Sequence, residues 1–246
     1  MKLTNRPQYI LIAVGALVMA VAFQNMSYIQ FSRLRISEVD ETNRLGHARE
    51  LLGNSYKGSD ARKMCGEAIN FFIYQKVEKG LDDEKWAKKI PQIVEAIISQ
   101  SQAQDLDPTF TLAVIQTESQ FNSDAVGTSG EIGLMQILPN TAEWIARLYK
   151  IPWKGKEALF DPVYNVKIGT TYFAHLRSEF DGLAYYYLPA YNMGPKNLRR
   201  IERSIGSIDS NGNVMKREYA VKVIKNYYAI YQDMHQQQKT MERICE

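Results

Sequence analysis

The sequence has few of the residues that hold metal ions and none of the loops that hold nucleotides. Its 246 residues include two cysteines and three histidines, and the histidines are far apart, at positions 47, 175 and 235. A zinc site needs three or four ligands at paired spacings, so we expect no metal and no cofactor. Neither a phosphate-binding Gly-Lys-Ser/Thr loop nor a Gly-x-Gly-x-x-Gly fingerprint is present, which excludes the common nucleotide-binding classes.

Neither sign of charge is in large excess. The 30 basic and 27 acidic residues leave a net charge of +3, and the basic residues form pairs such as Lys88-Lys89 and Arg199-Arg200. Such pairs are typical of solvated helix faces, whereas nucleic-acid contacts usually need a longer basic tract. Nucleic acid is therefore not an expected partner.

The longest apolar segment is near the N-terminus, where an uncharged run spans residues 9–23 and follows Lys2 and Arg6. Its 15 residues are short for a bilayer span, which needs about 20, and at the upper limit for the core of a signal peptide. A signal peptide cleaved after residues 20–22 (Ala-Val-Ala) and an uncleaved inner-membrane anchor both remain open. No cysteine follows closely, so no lipoprotein anchor is expected. Either alternative places the chain in the periplasm or cell envelope.

One carboxylate, Glu118, lies on an apolar helix. Asp107 is a good N-cap and Pro108 suits the first helical position, and apolar residues recur at helical spacing at positions 110, 113, 114 and 121. Residues 122–127 then end the helix, which leaves Glu118 in its last turn. Burial and the negative end of the helix dipole both disfavour the ionised form. Such a carboxyl can donate a proton near neutral pH, although from spacing alone a solvated or lysine-paired glutamate remains open.

Four ordered motifs accompany this helix. They are Glu-Ser-x-Phe-Asn at 118–122 with Gly-x-x-Gly-x-x-Gly-Leu-Met-Gln-Ile-x-Pro-x-Thr-Ala at 127–142, Asp-Pro at 161–162 with Asn165 and Gly169-x-x-Tyr172, Ala-Tyr-Asn-Met-Gly-Pro at 190–195, and Tyr-Ala-Val-Lys-Val at 219–223. Together they resemble the family 1 lytic transglycosylases over residues from about 85 to 235.

The resemblance implies a mostly α, lysozyme-like catalytic domain. The residue pattern itself allows a short hairpin at most, near residues 127–138, and predicts a small helical N-terminal segment that the resemblance does not cover. The predicted helices include residues 64–77, 83–104 and 183–188. The resemblance also implies cleavage of the β-1,4 bond between N-acetylmuramic acid and N-acetylglucosamine in peptidoglycan strands, with formation of a 1,6-anhydro ring. A single residue, Glu118, would act first as acid and then as base. A hydrolytic muramidase of the same fold and a non-catalytic wall-binding component of an envelope assembly are the alternatives.

The resemblance also implies which residues contact the substrate. They are Ser119, Gly133, Leu134, Met135, Gln136, Tyr191, Asn192 and Tyr219. In this set Met135 would supply an adaptable apolar wall, and Gln136 both a donor and an acceptor for an acetamido group. Tyr219 could donate its hydroxyl to Glu118 or to the substrate.

Four positions depart from the commonest family pattern. Ser123 stands where proline is usual, and Leu138 where methionine is frequent. The other two lie close to the predicted acid: Gly127 stands where a serine often contributes a hydroxyl, and Glu131 stands where alanine is common. Glu131 places a second carboxylate close to the predicted site. A solvated loop charge is the default interpretation of a single glutamate between two glycines.

The predicted domain organisation has four parts. They are a signal peptide or membrane anchor at 1–23, a helical spacer segment at 24–81, the lysozyme-like domain at 82–237 and a C-terminal tail at 238–246. The second part could be a spacer, a clamp on the catalytic domain or a partner surface. Cys65 and Cys245 lie at opposite ends of the exported chain, where a disulfide and two free thiols are both open.

Overall fold

Ten α-helices and one 3-10 helix account for most of the chain that the computed structural model describes, which is residues 41–52, 65–81, 84–205 and 214–237. The α-helices are α1 (Glu41–Leu52), α2 (Gly66–Gly80), α3 (Glu84–Ala87), α4 (Ile90–Gln102), α5 (Pro108–Glu118), α6 (Pro139–Leu148), α7 (Pro162–Glu179), α8 (Ala184–Met193), α9 (Pro195–Ile205) and α10 (Val214–Gln236). The 3-10 helix spans Lys156–Phe160. These ranges contain no sheet, only isolated bridges from Ile132 to Val126 and to Ile137. The predicted mostly α class is confirmed.

Helix α5 lies at the centre of the molecule. It contacts α2, α4 and α10, and apart from Gln116 and Glu118 its residues are buried. A helix that is apolar on all sides belongs in a core, which explains why its sequence lacks a polar face. Asp107 caps its start, because the carboxylate Oδ1 accepts the Thr109 N–H at 2.8 Å. The predicted cap and the predicted position of Pro108 at the first turn are confirmed.

Two predicted helix boundaries were wrong. The helix expected over residues 83–104 is divided into α3 and α4 by a turn at Lys88 and Lys89, because Pro91 lacks an N–H and disfavours a helix continuing into it. The helix expected to end at Leu188 continues through Pro189 to Met193. Burial of the side chains on both sides of Pro189 outweighs the hydrogen bond that proline removes.

The two N-terminal helices pack against this core. Helix α2 contacts α4 and α5 and buries Ile69, Phe72, Ile73 and Val77 completely. It corresponds to the helix predicted over residues 64–77. Cys65 precedes it and is disulfide-bonded, while Cys245, like residues 1–40, 53–64 and 238–246, lies outside the described residues.

Helix α1 is attached through a buried polar network. The His47 side chain accepts the Asp107 backbone N–H on Nδ1 at 3.1 Å, and its Nε2 lies 3.3 Å from the Tyr187 hydroxyl. Tyr187 in turn donates to Glu50 at 3.0 Å, and Arg177 binds the same carboxylate. The accepting role of Nδ1 requires the neutral imidazole, with its proton on Nε2. Residues 47–52 therefore join α1 to α5, α7 and α8.

We expect His47 to make a contribution to stability that weakens in acid. Burial and the nearby Arg177 lower the pKa of His47 to about 3, so between pH 3 and 6.5 the unfolded chain binds a proton that the folded one does not. The contribution of His47 to the free energy of unfolding should therefore fall by about 2 kcal/mol as pH falls from 7 to 5. Urea denaturation at several pH values, compared with a variant that lacks the imidazole, measures this contribution.

The matched variants are His47→Gln and His175→Gln. Since the slope is compared and not the absolute stability, a general weakening of His47→Gln does not obscure the result. From pH 7 to 5, the free energy of unfolding of His47→Gln should rise by about 2 kcal/mol relative to that of the unmodified protein, and that of His175→Gln should not. An identical slope in all three proteins would contradict the prediction.

Candidate active site

Glu118 is the last residue of α5 and faces a cleft of about 580 Å³. The loop of residues 127–138, here called the glycine-rich loop, lines the cleft together with Thr141 of α6. Tyr172 of α7 and the junction between α8 and α9 complete the lining. The carboxyl group is thus at the meeting point of the central helix and an open groove.

The surroundings of Glu118 favour its protonated form. Burial raises its pKa to about 7, and the like charge of Glu131 adds to the rise. The hydrogen bond from Tyr219 and the charge of Lys222 act in the opposite direction. The balance allows this carboxyl to exchange a proton at neutral pH, as a general acid and base requires.

Helix α10 fixes this end of α5. Tyr219 donates its hydroxyl to Glu118 Oε1. Two turns further along α10, Asn226 donates to the Thr117 hydroxyl at 2.9 Å, and Thr117 donates to the Ala113 carbonyl. The carboxyl orientation is therefore set by two helices that pack along much of their length.

Asn165 of α7 holds the glycine-rich loop. Its Oδ1 accepts the Met135 N–H at 2.8 Å, and its Nδ2 donates to the carbonyls of Ile132 at 2.9 Å and Leu159 at 2.8 Å. The side chain is completely buried. Each of these hydrogen bonds therefore replaces one to water that the backbone group loses when the protein folds. One amide thus anchors both arms of the turn.

Gly133 allows the loop to approach α7 this closely. Its φ is +80°, and a Cβ there would lie 2.3 Å from the Leu159 carbonyl oxygen and 2.4 Å from Asn165 Nδ2. A side chain therefore has neither the backbone conformation nor the space that it needs.

Residues 95–212 match the family model described as the transglycosylase SLT domain. This part of the chain is similar to SLT domains. The soluble lytic murein transglycosylase of Escherichia coli K12 is 32% identical over 108 residues, which cover 43% of this chain and 17% of that protein. The membrane-bound lytic murein transglycosylase C of Edwardsiella ictaluri is 32% identical over 46% of this chain and 34% of the relative. That of Mannheimia succiniciproducens is 27% identical over 77% of this chain and 50% of the relative.

Solved structures show the same fold. An inactive mutant of the lytic transglycosylase Slt from Pseudomonas aeruginosa superposes with a TM-score of 0.52 and 19% identity, over 82% of this chain and 38% of that one. A 70-kDa soluble lytic transglycosylase in complex with bulgecin A gives a TM-score of 0.51 and 20% identity, over 81% and 38%. The lysozyme-like helical class expected from the sequence is confirmed. The chain spans half or less of each of these relatives.

Five of the nine predicted site residues meet at this cleft. Gln136, Tyr191 and Asn192 line it together with Glu118, and Tyr219 reaches Glu118 from α10. Gln136 differs from expectation in one respect. Its Nε2 already donates to the carbonyls of Ala125 and Gly133, so only its oxygen is left to meet a ligand, as an acceptor.

The other four predicted residues lie beneath the cleft surface. Ser119, Gly133, Leu134 and Met135 are all buried. The Ser119 hydroxyl donates to the Leu134 carbonyl at 2.8 Å, and Tyr191 donates to the Met135 carbonyl at 2.8 Å. Met135 is 1% exposed, so its side chain packs in the core instead of forming the expected groove wall. These residues support the loop from below.

Several cleft residues were not singled out from the sequence. They are Thr128, Ser129, Thr141, Tyr172, Met193 and Asn197. Thr141 and Tyr172 stand inside the quoted motifs, which was the available signal. Asn197 had none, because it reaches the cleft only through the turn at Gly194, whose φ is +83°. Among the residues with a described position, no group of three or more potential ligands could hold a metal ion.

Tyr219→Phe tests the link between α10 and the acid. The hydrogen bond from Tyr219 lowers the pKa of Glu118, so its loss should raise that pKa further above its usual range. The alkaline limb of the kcat/KM profile should move to higher pH, and the rate at pH 7 should fall about tenfold because the carboxyl loses its orientation. Tyr228→Phe, an exposed tyrosine on the same helix, is the control. An unshifted limb would argue against the assignment.

Proposed function

We propose that this protein is a peptidoglycan lytic transglycosylase. It cleaves the β-1,4 bond between N-acetylmuramic acid and N-acetylglucosamine and leaves 1,6-anhydromuramic ends. The observation that carries the proposal is Glu118, a carboxyl with a pKa of about 7 at the floor of a cleft in a domain similar to SLT domains. The names of the relatives, which are all lytic murein transglycosylases, support the substrate class.

In the proposed reaction Glu118 acts twice. As an acid it protonates the glycosidic oxygen, and the bond from that oxygen to the muramic C1 breaks. The muramic N-acetyl group stabilises the cationic centre, a substrate-assisted route that needs no carboxylate nucleophile. Glu118 then takes the proton of the C6 hydroxyl while that oxygen bonds to C1, which closes the anhydro ring. The residue returns to its starting state, and no water is consumed.

Substrate binding follows from the groups left free in the cleft. The Gln136 oxygen accepts an acetamido N–H, and the exposed Asn192 presents an amide from the end of α8. Tyr191 stacks on Phe173 with ring centroids 3.8 Å apart and donates its hydroxyl to the loop. It is therefore a rigid part of the groove, and Asn192 is the more adaptable contact.

Peptidoglycan digestion tests the proposal. Purified sacculi are incubated with the protein, and the soluble products are weighed by mass spectrometry. Anhydro products, one water lighter than their hydrolysed counterparts, are expected. Reducing ends alone would favour a muramidase of the same fold, and binding to sacculi without any product would favour a non-catalytic wall-binding component.

Such a substrate requires export to the periplasm or cell envelope, by a cleaved signal peptide or with residues 9–23 as a membrane anchor. Those residues lie outside the described part of the chain. Among the helices that are described, none is both long and apolar enough to span a bilayer.

A further inference from the structure

The cleft contains a second carboxylate besides Glu118. Glu131 stands in the glycine-rich loop and lines the same cleft as Glu118. Its Oε2 accepts the Ser129 N–H at 3.0 Å, and its backbone carbonyl accepts the Gly127 N–H at 2.8 Å. Both the side chain and its backbone are therefore held by the loop itself.

The space for this carboxylate comes from Gly127. A Cβ at position 127 would lie 2.3 Å from Glu131 Oε2 and 2.9 Å from Gln136 Oε1. These two departures from the family pattern are thus one feature, because glycine leaves the volume that the glutamate fills. A glutamate extending from the loop into solvent would not need that volume.

Glu131 is not held by a surface ion pair either. In the described parts of the chain, the salt bridges of lysine and arginine go to other carboxylates. Its charge acts on Glu118 instead and contributes to the raised pKa of that residue. Two like charges in one cleft disfavour each other, so the arrangement has a cost that a purely structural role does not explain.

The two carboxyl groups also have different surroundings. Both are half-buried, but Glu118 accepts a hydrogen bond from the Tyr219 hydroxyl of α10, whereas Glu131 accepts one from a backbone N–H of its own loop. In glycan-cleaving sites, two carboxyl groups take different roles when their environments differ. A pair of this kind is what hydrolysis of a glycosidic bond requires.

We propose that Glu131 is a catalytic base for water and that this site therefore forms reducing ends alongside anhydro ends. The inference rests on the proposed function. Glu118 gives its proton to the departing glycosidic oxygen, and the bond to the muramic C1 breaks. A water oxygen bonds to C1 in its place, and one water proton passes to Glu131. Glu131 then releases that proton to solvent and Glu118 regains one, so the net reaction consumes one water.

Product ratios test this assignment. Sacculi are first reduced with borohydride, so every reducing end found after digestion was made by the protein. Mass spectrometry then gives the ratio of reducing to anhydro ends. The unmodified protein should produce both, and Glu131→Ala should lower the ratio at least tenfold. Glu157→Ala, an exposed glutamate outside the cleft, should leave the ratio unchanged.

A second variant reaches the same conclusion without removing the carboxylate. Gly127→Ala places a methyl group where Glu131 Oε2 now lies, and since no positive φ is required at position 127, the backbone tolerates alanine. The ratio should fall as in Glu131→Ala, and combining the two substitutions should lower it no further. A purely structural role of Glu131 would change the total rate but not the ratio.

The outcomes separate the two proposals. Anhydro ends alone from the unmodified protein, or an unchanged ratio in Glu131→Ala, would overturn the role of Glu131 and leave the transglycosylase proposal intact. The absence of both kinds of product would instead refute the proposed function.

Discussion

Glu118→Gln is expected to lower product release from peptidoglycan by at least about 1,000-fold. Glutamine has the same shape but cannot give up or accept the proton, and in the proposed reaction no other residue takes over either step. The loss should therefore include anhydro and reducing ends alike. The measurement is the initial rate of soluble product release from sacculi at pH 7, with the exposed Glu143→Gln as control.

The same variant has a stability signature. The pKa of Glu118 is raised from 4.5 to about 7 in the folded protein, so the unfolded chain loses its proton first as pH rises. The free energy of unfolding should fall through this window by about 3 kcal/mol, and Glu118→Gln should lack that fall. If Glu118→Gln is inactive but its free energy of unfolding still falls as pH rises, the pH effect arises from another titrating group. Undiminished turnover would exclude Glu118 as the acid.

Asn165→Ala is expected to reduce stability by about 3–5 kcal/mol. The change leaves the Met135 N–H and the Leu159 carbonyl without the side chain that binds them, while the Ile132 carbonyl keeps only the Ile137 N–H. Each unsatisfied buried group costs about 1–3 kcal/mol. Partial relaxation of the surrounding structure keeps the total loss of stability below the sum of the largest individual costs. Urea denaturation at pH 7 gives the value.

The activity of Asn165→Ala should fall together with its stability, because the loop that Asn165 anchors lines the cleft. In conditions where Asn165→Ala remains folded, as judged by far-UV circular dichroism, we expect a rate at least tenfold lower, with a raised KM. The exposed Asn140→Ala should affect neither quantity. A loss of stability below 1 kcal/mol would mean that the loop keeps its position without the anchor.

Local signals predicted the central helix and its acid well. The cap at Asp107, the proline at 108 and the apolar spacing act within a few residues of one another, so the sequence alone predicts their effect. The structure places Glu118 at the helix end as expected. The end of α8 was missed because burial of the side chains around Pro189 decided it, and a local pattern does not contain burial. The start of α4 was missed although Pro91 was a local signal for it.

The candidate site was predictable only where a residue's own backbone determines its position. Tyr191 and Asn192 precede a helix break and therefore reach the cleft. Met135 stands in the strongest motif, yet its side chain is buried against α7, where a Cβ at Gly169 would lie 2.4 Å from its sulfur. The sequence also gave no reason to connect Gly127 with Glu131, since their relation is one of shared volume across a turn.

The attachment of α1 limits how the protein can be shortened. A fragment beginning at residue 82 would retain every cleft residue but lose His47 and Glu50. The Asp107 N–H, Arg177 and the Tyr187 hydroxyl would then lose their interaction with α1. Truncation at that point removes contacts that support α5, the helix that ends in Glu118. Fragments of the catalytic part for biochemical work should therefore begin upstream of residue 41.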